Sequence, residues 1–410
     1  MAAGFWMLAA AGAAALAIWL TTAWLLDVAD DAPPGTERAK IRVDAVRTGL
    51  AAGGGAGAAV GLMLAFRRQR HAEVATALGE LDAAERRITE LYNAAAEQLG
   101  SDKAPVRLTA LYTLERLAND NERHRQTIVN IICAYLRMPY TAPPTGHPDP
   151  QEEHRERARR NAARYRAARD NRPPPLELAP HGPDPREEHQ VRLTAQRLLT
   201  THLQPTAEHH WANISLDLTG ATLTDFTLTD CAVHNAGFSH AVFSGPAWFH
   251  EATFSGPAMF DEAAFSGPAL FYGATFSGPA VFHEAAFSRD AAFDGAAFSG
   301  DAWFIEAAFS EPAWFREATF SEDATFGGAA FSGPAWFHEA TFSRNAAFDG
   351  ATFSGDAWFR GARFEAEVDM TSATVEDVTV RHAPPPGWQI EPTEGGAGRF
   401  DRTPSPANGS

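Results

Sequence analysis

The chain has 410 residues, 45% of them hydrophobic, and a formal net charge of −17 from 51 acidic against 34 basic residues. That length leaves room for several domains, and the acidic balance argues against a surface built to neutralise nucleic-acid phosphates. Two cysteines, Cys133 and Cys231, exclude a disulfide framework, fit a reducing compartment, and are expected to be buried core thiols.

Residues 1–70 read as a two-helix transmembrane anchor. Phe5 to Leu26 contains no charge and is long enough to span a bilayer. It lacks the basic start and small-residue cleavage site of a signal peptide. A connection rich in aspartate (Asp27, Asp30, Asp31) leads to a second apolar stretch, Thr48 to Phe66. There Gly49, Gly53, Gly57 and Gly61 recur every four residues and make a flat face for close helix packing. Arg67, Arg68 and Arg70 come next and argue for a cytoplasmic remainder, although Arg38, Lys40, Arg42 and Arg47 in the connection work against that asymmetry. The expectation is a multi-pass protein of the cell membrane, held in lipid by two transmembrane helices, with its C-terminal domain cytoplasmic.

Residues 71–140 read as helical. Val74, Ala77, Leu81, Ala84, Ile88, Leu91 and Ala95 keep a seven-residue repeat suited to a coiled coil or to the edge of a helical bundle. Helices are expected near Ala104–Ala118 and Arg123–Arg137. Val106-Arg107-Leu108-Thr109-Ala110 returns as Val191-Arg192-Leu193-Thr194-Ala195, which looks like helical hairpins of the HEAT type. Between the copies, residues 141–186 form a Pro/Arg-rich linker. Its arginines, Arg155 to Arg169, are interspersed with Glu152, Glu153 and Glu156 and read as solvated. Residues 187–213 contain a helix, Glu187 to Leu203, placed to cover the open end of the periodic domain beyond it.

From 214 to 382 the sequence is periodic. Starting at Phe243, phenylalanine recurs to Phe364 in steps alternating between six and five residues, in an eleven-residue unit such as Ser244-Gly245-Pro246-Ala247-Trp248-Phe249-His250-Glu251-Ala252-Thr253-Phe254. No single helix or strand puts residues so spaced on one side. Short strands joined by corners do, with Ala two residues before each Phe also pointing inward. Like sides stack on like sides only if each coil has an even number of them, and two five-residue and two six-residue sides close a coil of 22. Plain five-residue steps (Leu218, Leu223, Leu228, Val233, Phe238, Phe243) precede the block, and Met370, Val375 and Val380 come after it.

Ala221-Thr222-Leu223-Thr224-Asp225 and Ala236-Gly237-Phe238-Ser239-His240 resemble the units of the pentapeptide-repeat family. The resemblance implies a right-handed, four-sided β-helix, so the fold class expected for the whole chain is mixed: a transmembrane helical hairpin and an α-helical region, then this solenoid. The extra residue in every second unit (Pro246, Pro257, Asp290, Asp301, Pro312, Asn345) departs from the family pattern. Residues 383–410, rich in Pro, Gly and Ser, read as a disordered tail.

No catalytic constellation is evident. His209-His210 reads as a surface pair, and His250, His283 and His338 are repeat positions. The chain is therefore expected to be neither an enzyme nor a cofactor protein. Two outward features are candidate binding surfaces. Every 22 residues the position before Phe gives Trp248, Leu270, Ala292, Trp314, Trp336 and Trp358 on one side, and Met259, Val281, Trp303, Thr325 and Ala347 on the opposite one. An apolar row of that length marks a partner or homodimer surface, unless its side chains fold back against the wall. Glu262, Glu284 and Glu306 form an acidic column, in a solenoid with 23 acidic residues against six arginines. The first expectation is a membrane-anchored interaction scaffold that binds no nucleic acid directly. Some relatives are DNA mimics that occupy the DNA site of type II topoisomerases, so an acidic mimic acting on gyrase is the second.

Overall fold

The computed structural model describes residues 2–31, 35–140 and 184–403, without the side chains of residues 2–11, 13, 52, 53, 56, 57, 60, 81 and 394. The linker expected at 141–186 lies outside the described residues up to 183. The chain divides into two units, Met1–Thr89 and Glu90–Ser410.

The first unit contains α1 (Ala2–Asp30) and most of α2 (Thr36–Leu99). Where separate helices were expected, α2 runs unbroken for 64 residues through the charged connection, the Gly-rich stretch and the heptad region. After Gly35 the connection offers good helix formers (Glu37, Arg38, Ala39, Lys40) and no proline, so nothing there stops the helix. Gly49 lies against α1, where an added methyl would come within 2.5 Å of the Thr22 hydroxyl oxygen. Gly61 has nothing within 4 Å, and the surroundings of Gly53 and Gly57 are not among the described residues. Arg42 pairs with Asp30. Among the described residues no helix is long and apolar enough to cross a membrane. Both expected spans run partly through side chains outside the description, and the transmembrane hairpin is without support here. The heptad positions Val74, Ala77 and Ala84 are exposed, so among the described residues this stretch forms no coiled coil.

In the second unit α3 (Ala104–Asp120), α4 (Arg125–Arg137) and α5 (Pro185–Leu203) pack together. Asp184 caps α5, its carboxylate accepting from the Arg186 amide at 2.8 Å. The repeated Val-Arg-Leu-Thr-Ala motif places Arg107 and Arg192 at equivalent points of α3 and α5, both buried and both facing Glu188, at 3.2 and 2.7 Å. The Tyr135 hydroxyl donates to the same carboxylate at 2.9 Å, and burial beside that negative charge pushes its pKa up.

Helices α4 and α5 also finish the first coil of the solenoid. The Gln196 side chain donates to the Thr224 carbonyl at 2.8 Å and accepts from its amide at 3.1 Å, standing in for a neighbouring strand. Gln126 does the same for Ser215, and the Thr200 hydroxyl donates to the Thr227 carbonyl at 2.6 Å. Buried edge groups left without such partners would each cost about 1–3 kcal/mol.

The solenoid makes about 7 turns of two- and three-residue strands stacked into four sheets. All four are parallel through the coils, and the register records the repeat. Leu216 pairs with Ala236 across the plain five-residue steps, whereas Ala236 pairs with Ala258 and Ala258 with Ala280 once every second side has six residues. Inside, each side contributes a column of Phe rings stacked 4.4–5.0 Å apart and within 16° of parallel. Rings of opposite columns meet edge to face across the interior, as Phe282 and Phe293 do at 5.4 Å and 84°. Parallel rings at the strand spacing and perpendicular rings across the interior are both favourable aromatic geometries.

The two kinds of corner differ. At Ser-Gly-Pro the coils touch: a methyl on Gly267 would sit 2.4 Å from the Gly245 carbonyl carbon, so the backbone itself excludes a side chain. The left-handed residue lies at the other corner, where Glu262 (φ 51°), Glu284 (φ 53°) and Glu306 (φ 55°) alternate along the chain with glycines such as Gly273 and Gly295.

The end of the chain departs from expectation. Met370 and Val375 are fully buried, but Val380 is only half-buried and lies outside the four sheets. The supposed disordered tail instead forms an antiparallel hairpin, Trp388–Pro392 with Gly398–Arg402, whose second strand pairs with Thr374 and Val375. Phe400 packs against Phe353, and Trp388 is buried with its indole N–H donating to the Val368 carbonyl at 3.3 Å. These apolar residues interrupt a polar composition and let the segment close the last coil.

Candidate partner-binding surface

The pairing register puts Trp248, Leu270, Ala292, Trp314, Trp336 and Trp358 on one sheet, each against the next. In a parallel sheet in register, identical side chains on neighbouring strands lie over one another. Trp314 and Trp336 stack at 5.5 Å and 6°, and Trp336 and Trp358 at 5.5 Å and 16°. Ala292 is fully buried and breaks the row, so the stack comprises three rings, with Leu270 and Trp248 beyond the gap. All three stacked indoles are half-buried on the outer face of the sheet, with their faces covering one another.

Polar groups line this ladder. The Arg316 guanidinium lies 4.9 Å over the Trp314 ring and is held there by Asp294, to which it donates at 2.7 and 3.2 Å. His338 and Arg360 continue the same column on the next two coils, His338 Nδ1 lying 2.7 Å from the Arg360 carbonyl oxygen. Sequence reasoning passed over this flank, although the residue after each Phe, read every 22 positions, gives it. The Trp358 indole N–H reaches Asp356 at 3.4 Å, whereas that of Trp336 is buried without a partner. The opposite row is less regular: Val281 is buried, Met259, Thr325 and Ala347 are half-buried, and Trp303 stands 37% exposed and unstacked. At its head Gly237 leaves an open hollow of about 390 Å³ with Asn130, Asn235, Asp217 and Met259 around it.

The acidic column is real but short. The amides of Glu262, Glu284 and Glu306 donate to the carbonyls of His283, Ile305 and Gly327, so the three corners lie on consecutive coils with their side chains exposed. His240 stands 3.3 Å from Glu262 at one end, and Gly328 succeeds Glu306 at the other. The matching corner on the Trp side reads Glu251, Gly273, Gly295, Glu317, Glu339 and Gly361, so neither flank is continuously acidic.

Burial pushes the thiols of Cys133 and Cys231 up to about 12, which keeps both protonated and unreactive at neutral pH. Among the described residues no group of three or more His, Cys, Asp or Glu is arranged to hold a metal ion.

The family described as pentapeptide repeats (9 copies) matches residues 218–264, 260–307, 293–341 and 326–374. No curated protein and no solved structure matches the chain. The matched segments coincide with the four-sided Phe-cored coils, and this part of the chain, residues 218–374, belongs to the pentapeptide-repeat family.

Proposed function

We propose that the chain is a non-catalytic protein-interaction scaffold whose docking face is the Trp314–Trp336–Trp358 ladder. The observation that carries this reading is the stack itself. Three large aromatic residues occupy outward positions on consecutive coils, where the solenoid core does not require them, and aromatic anchors of this kind dominate protein interfaces. Trp336→Ala is expected to weaken partner capture from a membrane fraction tenfold or more, with the melting temperature nearly unchanged. A large loss of melting temperature with capture intact would show the ladder to be wall packing.

Attachment to a membrane, with the solenoid in the cytoplasm, belongs to the same proposal. It is supported by the uncharged sequence from Phe5 to Leu26 and by the exposure of Trp19, Leu20, Trp24, Leu62, Met63 and Phe66 on α1 and α2. The full chain should then stay with membranes through carbonate extraction, and release into the soluble fraction would remove this part of the reading.

The second reading is an acidic mimic acting on a type II topoisomerase, favoured by the Glu262–Glu284–Glu306 column and the net charge of −17. The glycine gaps in both corner columns weigh against it. Inhibition of gyrase supercoiling that is lost in a Glu262→Gln, Glu284→Gln, Glu306→Gln triple variant would reverse the ranking.

A further inference from the structure

In the first unit the two helices differ greatly in length. At about 1.5 Å per residue α1 is roughly 44 Å long, while α2 from Thr36 to the end of the unit is roughly 81 Å. However the two are packed, α1 can lie along little more than half of its partner. Exposure agrees: every described side chain from Gly61 to Arg87 is exposed. Most helical stability in proteins comes from packing an apolar face, and this helix is not composed for solvent. Val74 is 52% exposed and Leu78 61%.

At about 100° per residue, positions 74, 77, 78, 81, 84 and 88 fall within an arc of roughly 120°. Of the five charged residues between 74 and 88, only Glu85 enters that arc. The pairs that stabilise the helix from within, Arg86 with Asp82 and Gln69 with Glu73, sit outside it. Along the arc, Val74, Ala77, Leu81, Ala84 and Ile88 are separated by three, four, three and four residues. That alternation is the knob spacing of a helix paired with another helix of the same pitch, and alanine at two of the five positions allows close approach. A broad globular surface would call for a wider stripe, and the exposure of Val74, Ala77, Leu78 and Ala84 shows that no described residue of the unit covers this one. A second copy of the chain supplies the same spacing in matching register.

We propose that the occupant is that second copy, and that the protein is a dimer joined along α2 between Val74 and Ile88. The proposal is independent of the Trp ladder.

Single cysteines in the full chain, purified in detergent, test it. Ala77→Cys and Ala84→Cys lie on the stripe, and Ala75→Cys and Ala83→Cys on the far side of the same helix. Mild oxidation should link the first two into dimers at least tenfold faster than the last two, with wild type as background because Cys133 and Cys231 are buried. Equal rates on both faces, or no linkage at any position, would overturn the proposal. Sedimentation should give two chains per particle for wild type and for Trp336→Ala, and one for Leu78→Glu with Ile88→Glu. One chain for wild type, or dissociation by Trp336→Ala, would also overturn it.

Discussion

The solenoid and the helices that cover its first coil solve the burial problem in opposite ways. The solenoid repeats one contact: a Phe ring between two copies of itself, edge-on to rings of the opposite column, with no charge inside. The helical cap is built from contacts that occur once, centred on a half-buried carboxylate between two buried arginines. Where a contact is repeated, any one position reports on all. Where it is unique, each partner has its own cost.

The largest effect should come from breaking the repeated contact. Phe304→Ala removes a ring stacked at 4.8 and 4.9 Å on Phe282 and Phe326, and should cost about 3–5 kcal/mol in a denaturant melt. If the comparison holds, Phe293→Ala and Phe326→Ala fall within about 1 kcal/mol of it.

Glu188→Ala strands two buried guanidinium groups and should cost about 3 kcal/mol or more. Arg107 also has a buried Nε without a hydrogen-bond partner, so Arg107→Met should cost much less than Glu188→Ala and can be stabilising. Equal losses from these two variants would mean that the triad behaves as an additive pair of bridges.

A smaller effect of opposite sign is expected at the corners. Glu284→Gly relieves a left-handed glutamate and thins the acidic column, and should raise stability by roughly 0.5–1 kcal/mol. Ser299→Ala, an exposed corner change, should shift the melt by less than about 0.5 kcal/mol. A loss at Ser299 comparable to that at Phe304 would invalidate the assignment of inside and outside.

The same contrast decides what could be read from the sequence. The Phe and Ala columns, the four sides and the 22-residue coil were legible because each position is written many times over. The change of register between the first coil and the later ones could be counted directly from Leu218 and Phe243 onward. The Trp face was legible as a row, though the gap at Ala292 and the flank of Arg316, His338 and Arg360 went unread. Unique features were not legible. The matching motifs around Arg107 and Arg192 were visible, but that both arginines meet Glu188 depends on how α3 and α5 pack. The closing hairpin at Trp388–Arg402 has no second copy in the chain to announce it.

The eleven-residue unit is half a coil, and this makes insertion and deletion in the gene a discrete geometric operation. Losing 22 residues from the middle of the block would remove one rung from each Phe column and leave both closures in place, drawing the two ends together by one strand spacing of about 4.8 Å. Losing eleven would preserve every inward Phe but turn all later coils to the opposite side, carrying the indole stack round to the face that now bears Trp303. Duplication in whole coils therefore adjusts the distance between the indole stack and the helical cap in fixed steps, while duplication in half coils reverses the direction in which that stack looks.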